Sequence, residues 1–132
     1  MDEILRKKYI PMTETTYYTL LSVLVPRHGY AIMQYVKELT MGRLLLGTGT
    51  LYTMVGRLET DKLITVLPEY DKKVYYITDI GRGLLCVETE RLGRQLADGW
   101  KVLYAGKEEN GSMTADCDKS AVLQNGGGAF QE

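Results

Sequence analysis

Apolar positions along the chain recur with the periods of secondary structure. Between Thr13 and Leu24, Tyr17, Leu20, Leu21 and Leu24 fall at the i, i+3, i+4, i+7 spacing of one buried helical face. Thr13 stands at the N-cap position, Glu14 complements the helix dipole, and Pro26 supplies the stop. A second helix is expected from Tyr30 to Thr40, with Ile32, Val36 and Leu39 on one face and Met41-Gly42 at its end. Residues 43–46, Arg-Leu-Leu-Leu, are too few for a helix and are read as a short buried strand. Gly47-Thr48-Gly49-Thr50 then offers a turn and a helix start. The helix that follows reaches Lys62, with Leu51, Met54, Val55 and Leu58 inward.

The period then changes. Ile64–Leu67 and Val74–Thr78 are rich in β-branched and aromatic residues, and the polar run Pro68-Glu69-Tyr70-Asp71-Lys72-Lys73 between them has turn chemistry. This is a hairpin with a basic tip. From Asp79 to about Tyr104 helical spacing returns, with Thr78 as the expected N-cap. Leu85, Leu92, Leu96, Trp100 and Leu103 form a narrow apolar stripe, with Glu88, Glu90, Arg91, Arg94, Asp98 and Lys101 mostly off it. A helix of roughly 26 residues is about 39 Å long, more than a domain of this size can cover, so the stripe predicts a partner helix from a second subunit. Gly81, Gly83, Gly93 and Gly99 each weaken it by roughly 1 kcal/mol relative to alanine, which leaves packing to hold it.

The expected fold is mainly α with a small β-hairpin wing. It divides into a winged helix-turn-helix over residues 1–78, a dimerisation helix over 79–106, and a tail over 107–132. The tail is Gly-, Ser-, Asn- and Asp-containing without periodicity, and is read as disordered.

Composition and charge alter this picture little. Apolar residues are 45% and charged residues 25% of 132 positions, as in a globular domain. The start of the chain puts acids before bases and has no apolar run, so no signal peptide is expected. Apolar stretches such as Leu20–Val25 are too short to span a bilayer, and the expected location is the cytoplasm. Cys86 and Cys117 are read as free thiols, although nothing in their spacing forbids a pair. Net charge is −1, but residues 1–82 carry +2 and the remainder −3. That average is no argument for nucleic-acid binding, which needs only a few placed cations.

Candidate chemistry centres on the helix that follows Gly47. With Leu51 inward, a turn of 100° per residue places Gly49, Thr53, Gly56 and Thr60 outward, flanked by Tyr52 and Arg57. Small residues there admit a close approach to base edges, threonine suits a thymine methyl or a phosphate, and arginine can read guanine bidentately. The alternative is an ordinary solvated face. Thr48 and Thr50 are candidates for phosphate contact or for simple N-capping, and Lys72 and Lys73 for phosphate contact or a solubilising turn. Trp100 with Tyr104 suits dimer packing, or a platform for a small aromatic or hydrophobic effector. His28, the sole histidine, has no second ligand at metal spacing and is read as a turn or helix-start residue. No nucleophile–base pair is suggested for Ser22, and Gly47-Thr48-Gly49 lacks the Gly-Lys-Ser/Thr of a phosphate loop. Neither an enzyme, a metal nor a cofactor is expected.

Three stretches together resemble the PadR family of transcriptional regulators. They are Met12-Thr13-Glu14 through Leu24 to His28-Gly29-Tyr30-Ala31-Ile32; Leu46-Gly47-Thr48-Gly49-Thr50-Leu51-Tyr52 with Arg57-Leu58-Glu59; and Tyr75-Tyr76-Ile77-Thr78-Asp79-Ile80-Gly81. The likeness covers about residues 9–104 and is to the branch with a short C-terminal region. It implies a winged-helix repressor that binds a palindromic operator in double-stranded DNA as a homodimer through its C-terminal helix, with an effector that releases it. Two features depart from the family pattern. The wing tip Asp71-Lys72-Lys73 is short where many relatives have a longer, arginine-rich wing. Trp100 sits near the distal end of its helix, whereas some relatives hold a ligand-stacking tryptophan at the dimer centre. A dimeric winged-helix module that binds protein partners, without DNA, is the competing reading.

Overall fold

The computed structural model describes residues 2–68 and 71–105. Its elements in order are α1 (Glu3–Tyr9), α2 (Glu14–Ser22), β1 (Arg27–His28), α3 (Gly29–Leu39), α4 (Thr48–Thr60), β2 (Ile64–Leu67), β3 (Val74–Ile77) and α5 (Asp79–Leu103). The chain divides into two compact units, Met1–Glu90 and Arg91–Glu132. The boundary falls inside α5, beyond the 78/79 division expected from sequence, because the first turns of that helix bury Gly81, Leu84, Leu85 and Glu88.

The core of the first unit forms where the periodic faces meet. Leu20 of α2, Ile32 and Val36 of α3, Leu51 and Leu58 of α4, and Leu84 of α5 are all withdrawn from water. Burying each such side chain stabilises by roughly 1.5–3 kcal/mol as an upper figure. On α2 the fully buried positions are Thr16, Thr19, Leu20 and Ser22, with Tyr17, Leu21 and Leu24 only partly covered. The buried face is therefore rotated from the one that the leucine spacing predicts. Thr13 caps α2 as expected, its hydroxyl accepting from the Thr16 N–H at 3.1 Å.

Both α3 and α4 end in the same device. The N–H of Met41 bonds to the Glu38 carbonyl and that of Gly42 to Lys37; likewise Lys62 bonds to Glu59 and Leu63 to Leu58. These are paired 5→2 and 6→1 bonds, and they require a left-handed residue after the C-cap. Met41 (φ 54°) and Lys62 (φ 64°) take that conformation without being glycine. Lys62 thus lies beyond α4, and its side chain is exposed.

Three antiparallel strands form one sheet in the order β1-β3-β2, with Ile64 opposite Ile77 and Arg27 opposite Tyr75. The strand expected at residues 43–46 does not exist; the third strand is β1, which precedes α3. Both sides of β3 are taken by β1 and β2, and Arg43–Leu46 pairs with none of the three strands. That segment instead turns on local bonds. The Leu44 N–H donates to the Thr40 hydroxyl, Arg43 pairs with Glu14 and with the Tyr18 hydroxyl, and Leu45 is 65% exposed. The two-residue β1 is held by its own arginine: Arg27 donates to the Ser22 carbonyl and lies 4.0 Å from the Tyr35 ring centroid.

The start of α5 is fixed against the end of α4. The Thr78 hydroxyl donates to the carbonyls of the 62–63 turn and accepts from the Gly81 N–H at 3.1 Å, the expected N-cap. A β-carbon at Gly81 would collide with the Leu63 carbonyl oxygen, so this glycine serves close packing at the very site where it costs helix propensity. Glu88 is expected off the apolar stripe, although its spacing of three from Leu85 and four from Leu92 keeps it at the edge of that stripe. In the structure it is 1% exposed, because the segment leading into α2 covers it and the Met12 N–H donates to its carboxylate at 2.9 Å.

Candidate nucleic-acid interface

The outward face of α4 is open. Gly49, Tyr52, Thr53, Gly56, Arg57 and Thr60 are all exposed, while Leu51, Met54, Val55 and Leu58 are buried. A β-carbon at Gly49 or Gly56 would meet nothing within 4 Å, so no neighbour inside the protein requires glycine there. Gly49, Thr50, Thr53 and Arg57, with Met54 as floor, line a shallow cleft of about 400 Å³. The N-cap of α4 is Gly47, with no side-chain bond to the helix. Capping therefore uses neither Thr48 nor Thr50, and the N-capping alternative for both is withdrawn.

Arg57 is not a free cation. Its guanidinium lies 5.6 Å from the ring centroid of Tyr9, the last residue of α1. The Tyr9 hydroxyl donates to Asp61, which also pairs with Lys8 at 2.7 Å. Burial, reinforced by the hydrogen bond and charge of Asp61, pushes the Tyr9 phenol up to about 12. Hydrogen bonds from Lys8 and then Tyr9 hold the Asp61 carboxyl below its ordinary value. Sequence reading misses this cluster because it does not recognise α1. The signal is nevertheless present: Asp2 caps the helix at the Ile4 N–H, Glu3 follows, and Arg6, Lys7 and Lys8 close it, a charge order matched to the dipole.

Tyr52 and the wing lysines come together in a second cleft, of about 540 Å³, whose walls also include His28, Tyr30 and Tyr75. Gly29 makes this packing feasible, since a β-carbon there would strike the Tyr52 hydroxyl. Of the predicted contact residues, Thr50, Thr53 and Arg57 therefore share one cleft and Tyr52, Lys72 and Lys73 another. Thr48 lines neither.

The apolar stripe of α5 divides at the unit boundary. Leu85 is 5% exposed and belongs to the core of the first unit, which removes it from the surface expected to dimerise. In the second unit Leu96 is 52% exposed, Leu103 is also exposed, and Leu92 and Trp100 are half-buried. Trp100 and Tyr104 stack with ring centroids 5.2 Å apart at 35°. Cys86 is a free, exposed thiol. Among the described residues no cluster of His, Cys, Asp or Glu could hold a metal ion, and no helix is long and apolar enough to cross a membrane. The expected tail, 107–132, and the second thiol, Cys117, lie outside the described residues.

Helices α2, α3 and α4, a three-stranded sheet with β2 and β3 as its hairpin, and a helix continuing after it define a winged helix. Residues 19–86 match the model of the transcriptional regulator PadR-like family, and the chain belongs to that family. It is a transcriptional regulator. The structure is similar to that of a PadR-like transcription factor from Bacteroides fragilis, with 27% identity, a TM-score of 0.54, and coverage of 76% of this chain and 95% of that one. A transcriptional regulator from Clostridium thermocellum shares the fold at 20% identity and a TM-score of 0.55, over 76% of this chain and 96% of its own. No curated protein matches the chain significantly.

Proposed function

We propose that the chain is a repressor that binds a palindromic operator as a homodimer, with α4 in the major groove and the wing against the backbone. The observation that carries this reading is the outward face of α4, where glycine stands at two exposed positions that no neighbour in the protein requires. Small residues at such positions suit an approach of the helix axis to base edges. Thr53 and Arg57 then offer a methyl and a bidentate donor to the groove, with Tyr52 at its flank. Thr48 and Thr50, free of capping duty, are phosphate contacts, as are Lys72 and Lys73.

Dimerisation falls to the distal part of α5. Leu92, Leu96, Trp100 and Leu103 remain for it, and Leu96 and Leu103 are exposed within their own unit. A two-fold axis would set the two copies of α4 about 34–36 Å apart, one turn of DNA. The stacked pair Trp100 and Tyr104 is the candidate platform for a small aromatic or hydrophobic effector, and the protein would work in the cytoplasm.

The test is a titration of the full chain against a duplex selected from a random pool and a scrambled duplex, over a range of salt. The reading expects the selected duplex to bind at least about 10³-fold tighter, with both affinities falling as salt rises. Equal, salt-insensitive affinities would instead favour a protein-binding module. Sedimentation should give a dimer for the unmutated chain, and Leu92→Asp/Leu96→Asp should give monomer or insoluble protein.

A further inference from the structure

The cleft between the start of α3, α4 and the wing contains more donors than the wing lysines. Lys72 and Lys73 bring two positive charges, and His28 and Tyr30 face the same space. Among the described residues, none that lines this cleft is acidic. His28 and Tyr30 are also oriented by their neighbours. Nδ1 of His28 accepts from the Ala31 N–H at 3.4 Å, which leaves Nε2 as the donor of the ring. The Tyr30 hydroxyl accepts from the Gln34 side-chain amide at 3.0 Å, which occupies an oxygen lone pair and leaves its own O–H to donate. Tyr30 is exposed, so that donor reaches solvent. Each group thus accepts from a residue of α3 and keeps a donor, Nε2–H or O–H.

We propose that this cleft clamps one phosphate of the DNA backbone, with His28 and Tyr30 as positioning residues alongside Lys72 and Lys73. The inference rests on the DNA-binding reading above and deepens it. A cleft that brings two lysine ammoniums together with two further donors fits a tetrahedral anion. Its position beside the outward face of α4, with Tyr52 on its wall, puts that anion on a strand whose bases α4 would read. The clamp carries no sequence information; it sets the register in which Thr53 and Arg57 meet the bases.

Neutral donors and lysines leave different signatures. Lysines that neutralise a phosphate release counterions, so Lys72→Ala/Lys73→Ala flattens the dependence of affinity on salt by about 0.9 unit for each phosphate no longer neutralised. Tyr30→Phe removes a hydrogen bond without removing charge, and His28→Ser removes the imidazole donor while serine keeps a capping acceptor for α3. Each is expected to weaken selected and scrambled duplexes alike, by about tenfold, and Tyr30→Phe to do so at every salt concentration with the slope unchanged. A thermal midpoint close to that of the unmutated chain shows that both variants fold.

The selected duplex is then scanned with a single neutral methylphosphonate at each position in turn. One position should weaken the unmutated chain more than it weakens Tyr30→Phe, because that variant has one hydrogen bond fewer to lose there while Lys72 and Lys73 lose the same charge in both. If Tyr30→Phe and His28→Ser bind like the unmutated chain while Arg57→Ala and Lys72→Ala/Lys73→Ala do not, the clamp is wrong and the DNA reading stands. Losses that add at every methylphosphonate position also overturn the clamp. If the unmutated chain binds no duplex, both fall together.

Discussion

Facing inward, α4 presents Leu51, Met54, Val55 and Leu58, all buried; facing outward, it presents Gly49, Thr53, Gly56 and Thr60, flanked by Tyr52 and Arg57, all exposed. The inward set is what a helix needs to be held by a core. The outward set is what a solvated helix face would avoid. Glycine in a helix interior costs about 1 kcal/mol relative to alanine, and threonine costs up to about 0.7. Lysine, glutamate or alanine would have served stability better at Gly49, Thr53, Gly56 and Thr60. Gly56, in the interior of α4, lowers the stability of its own helix, and no neighbour requires glycine there or at Gly49. On the proposed function, the compensating contact is the one with DNA.

Breaking the inward side gives the largest effect. Leu58 is fully buried beneath α4, and Leu58→Ala is expected to lower stability by about 2–5 kcal/mol, checked by denaturant unfolding. A change below about 1 kcal/mol would mean that the core is not packed as described. The outward side responds with opposite signs in two measurements. Gly56→Ala should raise stability by up to about 1 kcal/mol, because the added methyl meets open space and glycine is the poorer helix former. The same methyl should weaken binding to the selected duplex, because it stands between the helix and the groove. A variant that is more stable and binds undiminished would remove the explanation offered for this glycine.

The smallest effect sharpens the link between α4 and α1. Tyr9→Phe keeps the ring beside Arg57 and removes the hydroxyl that bonds to Asp61, at a cost of roughly 0.5–1.5 kcal/mol near neutral pH. The folded state favours the neutral phenol, since its pKa is raised from 10.0 to about 12. That contribution is complete below pH 10 and is lost as pH rises through about 12. The stability gap between the unmutated chain and Tyr9→Phe should therefore narrow over that window in thermal scans. A gap that stays constant to about pH 12 would show that the phenol is not linked to folding.

The reach of sequence reading follows the range of the interactions concerned. The buried positions of α3 and α4 are legible because 3.6-residue spacing is a local signal, and so are the hairpin and the Thr78 cap. Long-range pairing is not. A two-residue strand such as Arg27–His28 shows no alternation, and it exists only because β3 lies beside it. The leucines of residues 43–46 look like that missing strand, so the winged-helix conclusion is sound while one of its supports is misplaced. Leu85 and Glu88 are assigned by spacing along α5, but what buries Glu88 is the chain near Met12, distant in sequence. The candidate site divides in the same way. Its α4 residues follow from helical geometry, whereas Tyr9 and Asp61, 52 positions apart, and the meeting of His28 and Tyr30 with the wing come only from the fold.

Whether the outward face of α4 reads DNA turns on Arg57. The direct measurement is the affinity of Arg57→Ala for the selected and scrambled duplexes, each titrated over a range of salt beside the unmutated chain. A side chain that reads a guanine edge should cost roughly 1–3 kcal/mol on the selected duplex and much less on the scrambled one, so the ratio between them falls. Equal losses on both would make Arg57 a phosphate anchor. No loss on either would contradict the account, and α4 would not be the element that recognises DNA.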